Sequence, residues 1–173
     1  MINPSIFRIY DIRGIYPQEI NEVSVKKIVQ AFLILYPEPK KIVLARDARS
    51  SSPSLAEEVK KVLLSSGKED YDLGIAPDPL YFFTILHYKM DAGIMITASH
   101  NPKKYNGMSF YVYPDKKQQI GYDVIKEKLE EIKKLAISEE LEQKQSLSLN
   151  SQGKITEFDP MEPYIKYVIQ KVK

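Results

Sequence analysis

Apolar positions recur along this chain with two different spacings. Val25, Ile28, Val29, Phe32, Leu33 and Tyr36 fall on one face of a 3.6-residue period and predict a helix over 23–36, stopped by Pro37. Ile42-Val43-Leu44-Ala45 is a continuous apolar run of strand length, the pattern of a strand buried on both faces. Ser52-Pro53 reads as an N-cap followed by proline at the first helical position. Leu55, Val59, Val62 and Leu63 then form a stripe that Gly67 ends. Tyr71 to Ala76 predicts a strand, and Asp78-Pro79 opens a helix carrying Leu80, Phe83, Leu86 and Met90. Gly93 to Thr97 is the next strand, a polar loop runs from Ala98 to Gly107, and Met108 to Tyr113 is a fourth strand. A helix from about Tyr122 to Leu135 places Ile125, Leu129 and Ile132 inside, with lysines and glutamates on a solvated face. The alternation predicts an α/β fold: a three-layer α/β/α domain around a mostly parallel mixed sheet.

The pattern lapses between Ser138 and Gly153, where Ser, Glu, Gln, Lys and Asn dominate. This reads as a linker. Beyond it, Met161, Tyr164, Ile165, Val168, Ile169 and Val172 form another helical stripe, which needs a partner surface. The expected organisation is a domain over 1–137, a linker over 138–153 and the start of a second domain over 154–173. The stripe is expected to dock on the chain's own first domain or on a second copy by exchange or pairing, with a homodimer slightly favoured.

Charge narrows the function classes. Against 25 Lys plus Arg stand 23 Asp plus Glu, a net charge of +2, too small and too dispersed for a dedicated nucleic-acid binder. No apolar run approaches the ~18 residues that a membrane span needs, so no membrane partner is expected. The chain has no cysteine, so neither disulfides nor a thiolate metal site enter the reading; a cytoplasmic location is expected.

Ligands of such sheets sit in loops beyond the carboxyl ends of strands. Residues 97–107 hold a serine hydroxyl, an imidazole, two amides and two lysines, with turns at Pro102 and Asn106-Gly107. A nucleophilic serine needs exposure, a neighbouring acid/base and donors for developing charge, and this loop offers each in kind. The plainer reading is a polar surface loop whose Ser99 and Asn101 bond local backbone. In Phe7–Gly14, Arg13 is either a bidentate phosphate clamp or one half of an Arg–Asp pair. Ala45–Ser52 precedes a helix N-terminus and either attracts an anion or caps the helix. The sequence has no GxGxxG, Walker or HExxH motif, and His87, among Leu86, Tyr88 and Met90, reads as structural.

Phe7–Gly14, Ala45–Ser51, Gly74–Pro79 and Thr97–Pro102 with Asn106-Gly107 together resemble the first domain of the α-D-phosphohexomutases, the phosphomannomutase/phosphoglucomutase enzymes. The resemblance covers residues 6 to about 135. It implies a phosphoserine at Ser99 that passes its phosphoryl group to a hexose phosphate, mannose or glucose, forming a 1,6-bisphosphate that reorients and returns the other phosphate. It further implies proton transfer by His100, charge stabilisation by Arg13, and a pocket shaped by Tyr10 and Asn101. A magnesium ion would be held partly by the phosphate on Ser99. Hexose 1,6-bisphosphate would act as activator, and the remaining domains of such an enzyme would be the partners.

Two departures qualify the resemblance. The family places a lysine where this chain has Ser109, and a neutral hydroxyl cannot supply that cation. Lys103 and Lys104 of the same loop are the candidates to replace it and to bind substrate. The family also has four domains, whereas this chain reads as the first and the start of a second, without an Asp-Gly-Asp metal loop, so the chain alone is expected to be inactive. A non-catalytic family remnant that binds a sugar phosphate or a protein is the alternative class. An unrelated nucleotide-binding domain is disfavoured by the missing glycine-rich phosphate loop.

Overall fold

A computed structural model describes residues 2–115, 120–141 and 152–172. Most of the stretch expected to be a linker, 142–151, lies outside these residues. The elements are β1 (Ile12–Ile15), α1 (Glu22–Leu35), β2 (Lys41–Arg46), α2 (Ser52–Ser65), β3 (Glu69–Ile75), α3 (Asp78–His87), β4 (Ala92–Ile96), β5 (Tyr105–Asp115), β6 (Ile120–Asp123), α4 (Glu127–Ile137), β7 (Lys154–Glu157) and α5 (Met161–Val172).

The strands form one sheet in the order β1-β5-β4-β2-β3-β7, with β6 pairing β5 beside that path. β2 pairs with β3 and β4 in parallel, and β3 with β7 in parallel. These junctions follow the helix-crossover rule read from the alternation. The β4–β5, β1–β5 and β5–β6 pairs are antiparallel. Residues 97–104 are too few for a crossover helix, so β5 folds straight back along β4.

Side-chain alternation splits the core in two. Ile42 and Leu44 of β2 face a cluster with Ile28, Phe32, Leu55, Ile94 and Phe110; Val43 and Ala45 face another with Tyr81, Ile85, Met95 and Tyr113. The first lies under α1, α2 and α4, with Phe32 stacked on Phe110 at 4.3 Å. The second lies under α3. Burial on both faces is why β2 and β4 read as unbroken apolar runs.

The structure corrects several boundaries. The helix expected from about Tyr122 begins at Glu127, because residues 120–123 pair with β5 as β6. Leu80 and Phe83 of the expected α3 stripe are buried, but Leu86 is 44% exposed, and Tyr81 and Ile85 are buried as well. Met90 lies beyond the end of that helix yet is buried. Ser51, not Ser52, is the N-cap of α2. β1 and β7 were not anticipated. β1 contains Arg13-Gly14, which masks any strand pattern, and β7 is four residues long.

β7 adds to the edge of the same sheet, pairing Lys154 with Glu69 and Glu157 with Asp72. α5 follows it and has no buried residue. Its Tyr164 and Tyr167 rest on Phe83 of α3, each at 5.3 Å between ring centres, while Ile165, Val168, Ile169 and Val172 stay exposed. No helix among the described residues is long and apolar enough to cross a membrane.

Candidate active site

Ser99 sits in the tight connection between β4 and β5, beyond the carboxyl end of β4. Its side chain is exposed and its backbone is left-handed, with φ +50°. Few non-glycine residues adopt that region, and each one costs energy unless its surroundings hold it. Here the Ser99 N–H donates to Thr97 Oγ1 at 2.9 Å. The Asn101 backbone N–H and side-chain amide both donate to the Ala98 carbonyl at 3.0 Å. Thr97 N–H donates to the Gly107 carbonyl at 3.0 Å, closing the loop base.

The loop that follows β2 packs against this turn. Asp47 Oδ1 accepts from Ser52 Oγ at 2.6 Å and from the Arg49 N–H at 3.0 Å; Oδ2 accepts from Arg49 Nε at 2.9 Å and from the Ala98 N–H at 3.4 Å. Burial acts to raise the Asp47 pKa, but the hydrogen bonds from Ser52, Arg49, Thr97 and Ala98 outweigh it, and the net shift is downward. Asp47 is thus ionised at neutral pH. The Arg49 guanidinium reaches the Ser99 loop, donating to its backbone carbonyls. Buried Asn106 ties the far end of the loop to the start of α2, donating to Ser51 Oγ at 2.7 Å and Ser52 Oγ at 3.0 Å. Its Oδ1 accepts from the Gly107 N–H at 2.8 Å. Gly107 admits no side chain: a Cβ there would lie 2.0 Å from the Ile12 carbonyl oxygen.

Between these segments opens a cleft of about 830 Å³. Ser99, Asn101, Lys103 and Lys104 line it together with residues 47–51 and Tyr16. Ser50 and Ser51 lie at the N-terminal end of α2, where the helix dipole favours an anion. Exposed hydroxyl, two ammonium groups and a helix start together suit an anionic phosphoryl group.

Of the residues singled out from sequence, Ser99, Asn101, Lys103 and Lys104 are brought together here. Arg13 approaches from beneath. It is 6% exposed, its Nη1 donates to the Thr97 and Ile12 carbonyls, and its Nη2 lies 3.4 Å from Asp11 Oδ2. Burial lowers its pKa, with Arg49 and Arg8 adding to the effect, but a guanidinium remains charged at neutral pH. Of the two alternatives for Arg13 the structure shows the Arg–Asp pair; the guanidinium is spent on Asp11 and backbone carbonyls and does not line the cleft. His100 is exposed next to Ser99, and Tyr10 is 63% exposed; neither forms a wall of the cleft. Ser109 is in β5 opposite Met95. Sequence reasoning placed Asp47, Arg49 and Asn106 in candidate segments without giving them individual roles, and missed Tyr16. The Asp47-x-Arg49 pair between a strand end and a helix start was visible, but its contacts lie some fifty residues away along the chain.

The donor set does not fit a resident magnesium ion. Among the described residues no three His, Asp or Glu side chains gather where a metal could bind, and both oxygens of Asp47 are already engaged.

The family model for phosphoglucomutase/phosphomannomutase, alpha/beta/alpha domain I, matches residues 4–142. The chain belongs to this family. Phosphohexose mutases of Xanthomonas campestris are 41% identical over 102 residues, which is 59% of this chain and 22% of the relative. A probable phosphoglucosamine mutase of Thermococcus gammatolerans is 32% identical over 168 residues, 94% of this chain and 34% of the relative. The chain thus spans about a third or less of these relatives' length. A solved phosphoglucomutase/phosphomannomutase family protein from Burkholderia thailandensis superposes with a TM-score of 0.77 at 24% identity, over 98% of this chain and 36% of that one, and supports the fold. Within the family the matched region is domain I, and that region holds the whole Ser99 cleft.

Proposed function

We propose that this chain carries the phosphoryl-bearing serine of a phosphohexose mutase, Ser99, acting on a hexose 1-phosphate or 6-phosphate. The observation that supports this most is the setting of Ser99: an exposed hydroxyl, held in a left-handed turn, in a cleft with Lys103, Lys104 and the start of α2. The Oγ–P bond of the phosphoserine breaks as a P–O bond forms to the free hydroxyl of the sugar phosphate. The proton of that hydroxyl ends on Ser99 Oγ, carried by His100. The 1,6-bisphosphate turns over and the reverse transfer restores the phosphoserine. Phosphoryl transfer depends chiefly on positioning and charge neutralisation. Lys103 and Lys104 neutralise the substrate phosphate, Asn101 shapes its approach, and Arg13, bonded to the Thr97 carbonyl, adds positive charge near the loop. Magnesium belongs to this reading only as a cofactor of the complete enzyme.

The chain alone is expected to show negligible mutase turnover. Electrostatic support of a transferring phosphoryl group is worth several kcal/mol, and this chain holds only part of it. The decisive experiment is intact-mass and peptide analysis after incubation with glucose 1,6-bisphosphate. A single phosphoryl group on Ser99, absent in Ser99→Ala with an unchanged melting temperature, is the expected result. Label on another residue, or none, refutes the reading. Rapid isomerisation of glucose 1-phosphate by the chain alone refutes its incompleteness.

A further inference from the structure

One guanidinium gathers the Ser99 loop. Arg49 Nη1 donates to the carbonyls of Pro102 at 2.9 Å and Tyr105 at 3.2 Å, and Nη2 to those of Ser99 at 3.0 Å and Asn101 at 2.6 Å. Nε is bound to Asp47, and the side chain is only 14% exposed. The donors of the fork are thus committed to one turn of backbone, from a residue on the neighbouring βα connection. The planar fork of arginine suits this task, whereas a lysine ammonium, a point charge with three donors, does not.

Two consequences bear on chemistry at Ser99. A left-handed serine needs its surroundings to hold it, and Arg49 binds its own carbonyl. A phosphoryl group also brings negative charge into a cleft where backbone carbonyl oxygens would repel it. Arg49 engages four of those oxygens. We infer that Arg49 is the positioning residue of the Ser99 loop, fixing the serine for phosphoryl transfer and keeping the loop carbonyls off the incoming anion. This rests on the reading of Ser99 as phosphoryl carrier.

Arg49→Lys and Arg49→Met test it in the full chain, with the lysine variant as the conservative arm that retains the charge. Trypsin reports the loop directly, because Lys103 and Lys104 lie inside the stapled turn. Cleavage there is expected to rise about tenfold or more in both variants, as charge-assisted hydrogen bonds are lost, while cleavage elsewhere stays at the wild-type rate. The maximal rate of Ser99 phosphorylation by glucose 1,6-bisphosphate is expected to fall about tenfold or more, with little change in the half-saturating concentration. Wild-type loop cleavage in Arg49→Lys overturns the role of the fork, as does a wild-type phosphorylation rate in that variant. A wild-type chain that takes up no phosphoryl group overturns the carrier reading, and with it the role of Arg49 in transfer, whatever trypsin reports about the loop.

Discussion

Two aspartates with opposite surroundings set the chemistry of this chain at the residue scale. Asp47 has both oxygens engaged by hydrogen-bond donors and stays ionised. Asp70, in β3, is 1% exposed, and neither of its oxygens has a hydrogen-bond partner among the described residues. Burial first, and then the neighbouring Asp72 charge, raise its pKa to about 7, against a smaller pull from Lys60. The unfolded chain ionises Asp70 near pH 4. Its neutral form therefore favours the fold fully below that pH, and the contribution is lost as pH rises through about 7. Asp70→Asn should leave stability nearly unchanged at pH 4 and raise it at pH 8 by on the order of 4 kcal/mol. Urea unfolding at the two pH values measures the difference; equal effects at both would refute it. Asp70 gave no such signal in the sequence, because its burial depends on a strand far along the chain, β7, lying against β3.

At the scale of elements, legibility follows length and context. α1, α2 and the strands β2 and β4 were plain because each carries an apolar face or run long enough to register a period. β1 and β7 are four residues each, and the meaning of Arg13 and Gly14 appears only opposite Gly107 and Asn106. α5 was legible as a stripe, but only half of its expected packing is present. Tyr164 and Tyr167 meet Phe83, whereas Ile165 and Ile169, one turn apart, are 48% and 54% exposed, and Val172 is 81% exposed. No element among the described residues covers that side. A second copy of the chain is the expected cover in solution, since apolar area left in water costs roughly 25 cal/mol per Å². Light scattering should show a dimer at rising concentration, and Ile165→Glu combined with Ile169→Glu should return the monomer. A wild-type monomer at every concentration would disprove pairing.

For the whole molecule, the α/β layering and the edge on which the cleft opens were readable, since both follow from alternation and from which loops succeed strands. The internal wiring of the site was not. Arg49 meets the Ser99 loop, and Asn106 meets Ser51, only because β4 lies between β2 and β5 in the sheet. Strand order decides such meetings, and residue patterns do not encode it directly. The same order also has a bearing on how the chain folds. β2, β3 and β4 are joined by short crossovers and assemble from near neighbours, whereas β7 must find β3 across a long intervening stretch, with Lys154 opposite Glu69. Closing that large loop costs entropy before any ladder bond compensates for it. β7 should therefore dock after the rate-limiting barrier. Thr156→Pro, which removes a ladder donor, is expected to speed unfolding and leave the refolding rate nearly unaltered, as stopped-flow denaturant jumps would record. A matching drop in the refolding rate would place β7 in the nucleus instead. Late docking means that the sheet edge beside Asp70 is the last part of the molecule to close and the first to open, so hydrogen exchange there should outpace that of the β2–β4 centre.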